Sequence, residues 1–176
     1  MRRLLFCVFL LVCLRADAQN YQSAEVYVHF FSPAPIADIE AVSQAAKANL
    51  NTDKKEVHIE IPISSFTFKK AMMQTHFNEK YLESEKYPKA SFIGKYKDDI
   101  RLDKDGIYRI TLTGKFSLHG VTRHKNIPCN ITIKNGRITF ESSFSVLSAD
   151  YKIEAPDMLY RTVGEKVDVD VTGGLE

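Results

Sequence analysis

His119, His124 and Cys129 stand five residues apart, and imidazole and thiolate are the groups that bind zinc or serve a nucleophile. The spacing does not support either role. No Cys-x-x-Cys or His-Glu-x-x-His pair occurs, and Cys129 shares the parity of the apolar residues around it, which reads as a buried, inert thiol. There is also no Gly-x-Ser-x-Gly elbow, phosphate-binding loop or glycine-rich dinucleotide turn. Asp98 and Asp99 are adjacent carboxylates, but neighbours on a strand face opposite ways, so they read as a solvated loop and not as an acid–base pair. Two groups remain. Arg123-His124-Lys125 follows Gly120 at what reads as a strand end, where it either attracts a phosphate or carboxylate or forms an ordinary solvated turn. Met72, Met73 and Phe77 either cap a cavity with adaptable side chains or form a plain packing face. The chain is therefore expected to hold no metal, no cofactor and no catalytic residue.

The elements that would position these groups are strands. Val57, Ile59, Ile61 and Ile63 alternate with His58, Glu60, Pro62 and Ser64 over 56–64, as a strand does when one face is buried and the other wet. Tyr108, Ile110, Leu112, Phe116 and Leu118 alternate with polar residues in the same way, interrupted only by Gly114, and Asp105-Gly106 ahead of them predicts a tight hairpin turn. Ile127, Cys129, Ile131 and Ile133 form a further strand. Asn135-Gly136 then predicts a turn into Ile138, Phe140, Phe144 and Val146, and a last strand points Val167, Val169 and Val171 inward with Asp168 and Asp170 outward. Segments 24–31 and 39–50 also read as strands, although the alanine-rich second one is ambiguous with a helix. Met73, Phe77 and Tyr81 fall at helical spacing within 69–82. Seven or eight strands with one inserted helix fit a closed barrel or a sandwich. A barrel of eight either fills with its own side chains or holds one small ligand.

The N-terminus sets the expected compartment. Arg2 and Arg3 precede an apolar run from Leu4 to Leu14 and then Ala16-Asp17-Ala18, the layout of a secretory signal peptide cleaved after residue 18. The run is short of the roughly 20 residues of a membrane-spanning helix. Val12 and Leu14 around Cys13 do not form a lipoprotein signal. The domain expected after cleavage is 19–176, periplasmic or secreted, with no stable membrane anchor. Loss of Arg2, Arg3, Arg15 and Asp17 would remove the formal net charge of +2, so nucleic acid is not an expected partner. Cys7 and Cys13 would leave too, so Cys129 has no disulfide partner within the mature chain.

Three segments carry a resemblance. TGKFSLHGVTR (113–123) is similar to a Gly-x-Leu-x-x-x-Gly-Val-Thr-Lys signature, with Phe116 and Arg123 replacing the usual leucine and lysine; HFNEKYLESEKYPKASF (76–92) matches a helix and loop leading into a Tyr-Pro-x-Ala-x-Phe strand start; DYKIEAPDML (150–159) is a looser match. On these segments the chain resembles the YceI-like family of secreted, lipocalin-like barrels associated with polyisoprenoids and other long-chain lipids. The resemblance implies an all-β, antiparallel eight-stranded barrel with one short helix packed near its opening and a long-chain isoprenoid or other lipid-like molecule inside. The lining would then be Val57, Ile59, Ile61, Ile110, Leu112, Phe116, Ile138, Phe140, Phe144, Val167 and Val169. The mouth and head-group residues would be Met73, Phe77, His119, Thr122, Arg123 and Tyr151. A homodimer is compatible with this reading. Its rivals are an interaction module whose barrel is plugged by Phe116, Phe140 and Phe144, and an enzyme, which would need a titratable pair inside the barrel.

Overall fold

The alternating segments become strands of one sheet. The computed structural model describes residues 20–33, 38–153 and 166–176, and of Ala24 only the backbone. The expected signal peptide, and residues 154–159 of the third resembling segment, lie outside the described residues. Among the described residues nine strands form: β1 (Asn20–Ser32), β2 (Ile39–Asn51), β3 (Glu56–Pro62), β4 (Thr67–Phe68), β5 (Lys89–Lys95), β6 (Gly106–Leu118), β7 (Val121–Lys134), β8 (Arg137–Leu147) and β9 (Lys166–Leu175). All pairings are antiparallel, in the order β1-β9-β8-β7-β6-β5-β3-β2, and β1 also pairs with β2. Eight strands thus close into a barrel, and β4 adds a two-residue edge to β2. Closure gives each of the eight long strands a partner on both sides, although β7 and β8 pair with each other along only part of their length; a free sheet edge would invite aggregation.

The weak alternation of the first two strands has a structural cause. The β1–β2 register shifts between Gln22 and Val26 and again between Val26 and Val28. In β2 the buried positions pass from Ala41 and Ser43 to Ala46, Ala48 and Leu50, a change of parity. Such β-bulges put two alternation phases into one strand and bend it, which barrel closure requires. The alanine-rich segment is therefore a strand and not a helix.

Of the two turns expected from the sequence, Asn135-Gly136 forms and Asp105-Gly106 does not, while His119-Gly120 makes a further one. Asn135 and Gly136 have φ of 51° and 76°, and His119 and Gly120 have φ of 49° and 72°. Each pair makes a two-residue turn, closing β7–β8 and β6–β7 respectively. Asp105-Gly106 is not a tight hairpin turn. Lys95 pairs with Thr113, so the connection from β5 to β6 runs through 96–105, and Gly106 already lies in β6 opposite Ile133. The Asp105 carboxylate instead accepts the Asn135 N–H at 3.0 Å, bracing the neighbouring turn.

The segment after β4 is helical but not uniformly so. α1 (Ala71–His76) passes directly into a π-helical turn, Phe77–Tyr81, in which the Leu82 N–H donates to the Phe77 carbonyl. The inserted residue turns Leu82 onto the face already formed by Met73, His76, Phe77 and Tyr81. Tyr87-Pro88 then leads into β5, as a residue locked out of helical hydrogen bonding should.

Inward residues of all eight long strands form one core, from Val26 and Val28 to Ile110, Ile127, Ile138 and Val171. Gly94 and Gly114 face each other across β5–β6. A Cβ on Gly114 would run into the Ile93 carbonyl and the Gly94 Cα, and the Phe92 ring covers Gly94. Cys129 is 6% exposed, and burial pushes its thiol up to about 12.

Gly114→Ala is expected to lower unfolding free energy by about 2 kcal/mol in urea titration through overpacking of this contact; an unchanged midpoint and slope would show that the strands part without cost. At pH 8 a maleimide or iodoacetamide probe should leave Cys129 unlabelled in the folded protein and label it fully in denaturant, read by mass spectrometry, because the thiolate is the reactive form.

Candidate ligand cavity

The barrel is closed at one end and hollow at the other. At the closed end Gln22 and Glu176 exchange backbone hydrogen bonds of 3.0 and 2.9 Å, and Ile138 faces Leu175. At the other end, where β1, β3, β6 and β8 finish, a cavity of about 280 Å³ opens beneath α1 and the π-helical turn. Its walls are apolar: Val28, Phe30, Ile61, Phe66 and Val169 are among them, and among the described residues only Ser32, His76, Tyr81 and Ser148 contribute polar groups. A second cavity of about 60 Å³ lies toward the closed end, between Leu50, Val57, Leu112, Ile131 and Phe140. Ile61, Phe116 and Phe144 line both, so they form a waist between an upper and a lower chamber.

Phenylalanines shape the chambers without filling them. Phe116 and Phe144 meet edge to face at 5.8 Å, and Tyr151 packs edge-on against Phe116 at 5.5 Å. Phe140 lies over Gly173, where a Cβ would stand 2.7 Å from the ring, so the ring is pressed against the wall. Above the waist Phe30, Phe66, Phe68 and Phe77 form a ring cluster, with Phe30 stacked on Phe77 at 5.5 Å and Phe68 tilted on it at 4.9 Å. Edge-to-face and stacked rings of this kind stabilise by about 1 kcal/mol per pair beyond their buried area.

The residues singled out in the sequence divide as follows. Ile61, Phe116, Phe144, Val167 and Val169 line the upper chamber, while Val57, Ile59, Ile110, Leu112 and Phe140 line the lower. Ile138 lines neither; it is 4% exposed and packs in the closed end opposite Ile133 and Leu175. Met73 and Phe77 lie in the upper wall. Met72 is 71% exposed and points away from it. His119, Thr122, Arg123 and Tyr151 are not in the cavity wall. His119 braces the rim: Nδ1 lies 3.0 Å from the Tyr151 carbonyl and Nε2 3.0 Å from Glu83 Oε2, with Tyr87 packed edge-on against the ring. The His119 hydrogen bond, aided by Lys86, holds the Glu83 carboxyl below its usual range. Arg123 donates from Nε to the Asp150 carbonyl at 2.7 Å and pairs with its carboxylate at 3.3 Å. Thr122 is exposed and shares a hydrogen bond with Ser117. Tyr151 is 1% exposed, and burial raises its hydroxyl pKa.

Among the described residues no group of three or more His, Cys, Asp or Glu converges so as to hold a metal ion. His124 is exposed on β7 while Cys129 is buried on the inner face, so the five-residue spacing separates them. Asp99 is exposed and paired with Lys55, which lowers its pKa through a hydrogen bond. Among the described residues no helix is long and apolar enough to cross a membrane. Among the wall residues missed in the sequence are Phe66 and Phe68, whose signal was their Phe-x-Phe spacing just beyond the 56–64 run, Phe30 in the weakly alternating β1, and Leu82, which the π turn brings inward.

Comparison with known proteins agrees on the fold. No curated protein matches the chain significantly. Among solved structures, a polyisoprenoid binding domain from Saccharophagus degradans superposes with a TM-score of 0.76 at 16% identity, over 89% of this chain and 97% of that one. BcnA of Burkholderia cenocepacia gives 0.70 at 15% identity over 85% and 95%. The YCEI protein of Campylobacter jejuni gives 0.58 at 16% over 81% and 88%. The YceI-like domain profile matches residues 21–174. With that span, the closed eight-stranded barrel and the helix beside its opening, the chain belongs to the YceI-like domain family.

Proposed function

We propose that this protein is a secreted or periplasmic carrier or reservoir for a long-chain apolar molecule, an isoprenoid or related lipid, held in the barrel without covalent chemistry. One observation carries the reading: a cavity of about 280 Å³ with almost wholly apolar walls, open beside a helical segment at one end of an otherwise closed barrel. A wall without charge attracts a guest by removing its apolar surface from water, about 0.8 kcal/mol per CH₂. Ordering of a flexible chain and loss of its free motion oppose that gain, so measured affinity will be far below the sum. The similar domain from Saccharophagus degradans, described as polyisoprenoid binding, supports the same ligand class.

The two chambers bear on chain length. A cavity of about 280 Å³ lies near the lower bound of ligand pockets, roughly 300 Å³, so it accommodates a chain segment. A longer chain enters the lower chamber only when Phe144, the half-buried member of the waist, rotates away from Phe116.

The test is mass spectrometry of organic extracts from protein purified from its native compartment without detergent, against an unrelated protein handled identically. A stoichiometric long-chain lipid specific to this protein is expected; an empty extract together with no binding of added isoprenols or fatty alcohols would reject the reading. Val169→Phe, which fills the upper chamber, should weaken isoprenol binding at least about tenfold while leaving the unfolding midpoint nearly unchanged. Phe144→Ala should join the chambers and shift preference, in a titration of isoprenols of increasing length, toward the longer members.

A further inference from the structure

The wall of the barrel is not equally closed all round. β7 and β8 pair only from Asn130–Glu141 to Lys134–Arg137, five residue pairs next to their turn, although both strands continue for many residues beyond. On their other sides the same strands stay fully laddered. β7 pairs with β6 as far as Val121–Leu118, and β8 pairs with β9 as far as Leu147–Lys166. Pro128 sits in the unpaired stretch of β7, where it has no N–H to give a neighbouring strand. Side chains cross the seam in place of the ladder: Ser142 Oγ donates to the Pro128 carbonyl at 2.7 Å, Lys125 Nζ donates to the Ser145 carbonyl at 2.7 Å, and Arg123 reaches Asp150.

Lys125 breaks the pattern of its strand. Ile127, Cys129, Ile131 and Ile133 take the inward positions of β7, and Lys125 shares their parity. It pairs with Gly114 of β6, itself opposite Gly94 of β5. The lysine is half-buried, and its ammonium lies 5.7 Å from the centre of the Phe144 ring, a wall of both chambers. Most charged groups near it are already matched. Asp150 is held by Arg123, and Asp168 by Lys166 and by Ser145 Oγ. Lys125 makes no ion pair among the described residues, and its hydrogen bond goes to a carbonyl. Lys125 itself stands in neither cavity wall; a half-buried cation packed against the Phe144 wall of an apolar cavity favours an anion that it can approach directly.

Resting on the carrier reading, we infer that the β7–β8 seam is the head-group site for an anionic chain ligand. The phosphate or carboxylate of the ligand would take Lys125 from the Ser145 carbonyl, and its chain would pass Phe144 into the cavity.

Matched probes separate this inference from the reading beneath it. Farnesol and farnesyl phosphate are titrated calorimetrically below their aggregation concentrations into the wild-type chain, Lys125→Met and Lys125→Arg, each checked for an unchanged unfolding midpoint. Wild type should bind the phosphate about tenfold more tightly than the alcohol, with the gap narrowing as salt rises. Lys125→Met should bind both equally, at the affinity of wild type for the alcohol, and Lys125→Arg should retain the gap. Equal binding of the two probes by wild type, or a gap that survives Lys125→Met, overturns the head-group site and leaves the carrier reading intact. Inorganic phosphate that binds alone as tightly as farnesyl phosphate also overturns it, because the site would then be one for the free ion. Failure of farnesol and of longer isoprenols to bind any of the three proteins counts against the carrier reading itself.

Discussion

The interior of this protein exists only because two sheet edges meet. β1 pairs with β9 along one side and with β2 along the other, so the strand that begins the described chain is also the one that completes the cylinder. An open sheet of eight strands with one apolar face would need a second layer to cover it; a closed one covers itself. Closure demands sharp local curvature, and the bulges in β1 and β2 supply it where the two edges join. The small residues of β2, Ala41, Ser43, Ala46 and Ala48, are buried at that junction. They let the bent strand approach its neighbours closely, and they account for the composition that makes the segment resemble a helix in sequence.

Whether a cylinder of eight strands is solid or hollow then depends on where its largest side chains lie. Phe92 and Phe140 are inward, and both are laid flat against the wall over Gly94 and Gly173. Those glycines remove the side chains that would push the rings toward the axis. Phe30, Phe66, Phe68 and Phe77 gather on one side of the upper end and stack on each other, so their bulk builds a wall and not a plug. The same residue type serves opposite ends, and the difference is set by the residue facing it.

This explains what could and could not be read from the sequence. The strands with a single alternation phase, β3 and β6 to β9, were legible because a half-buried strand stamps its period on the chain. The inward parity of most wall residues followed from it, and so did the burial of Cys129. The start of β5 was legible only through the resembling Tyr-Pro-x-Ala-x-Phe segment, because its inward series is Ala90, Phe92 and Gly94, with small residues around one large one, and Ile93 is exposed on the outside. The Asp105-Gly106 signal misled because local turn preference does not fix register: Asp105 serves as an acceptor for the adjacent turn instead. Ile138 carried the right parity but sits at a depth that alternation does not encode. His119 and Arg123 were legible as polar groups near the opening. That their hydrogen bonds are spent on Glu83, Asp150 and Tyr151 depends on loops that approach only in three dimensions.

The two ends of the barrel answer different physical demands. At the closed end the backbone does the work: β7, β8, β9 and β1 are fully laddered, Gln22 and Glu176 seal the termini, and apolar side chains fill the space between. At the open end a cavity takes the centre, and apolar contact is confined to its wall. Polar side chains reaching across gaps add to that contact. His119 ties the β6–β7 turn to the helical segment and to the turn after β8, Arg123 ties β7 to that same turn, and Lys125 and Ser142 span the seam. A hydrogen bond between side chain and backbone contributes only about 1 kcal/mol net, and each is more readily exchanged than a ladder of five. The hollow end is thus the end built to yield, as entry of the proposed apolar guest would require.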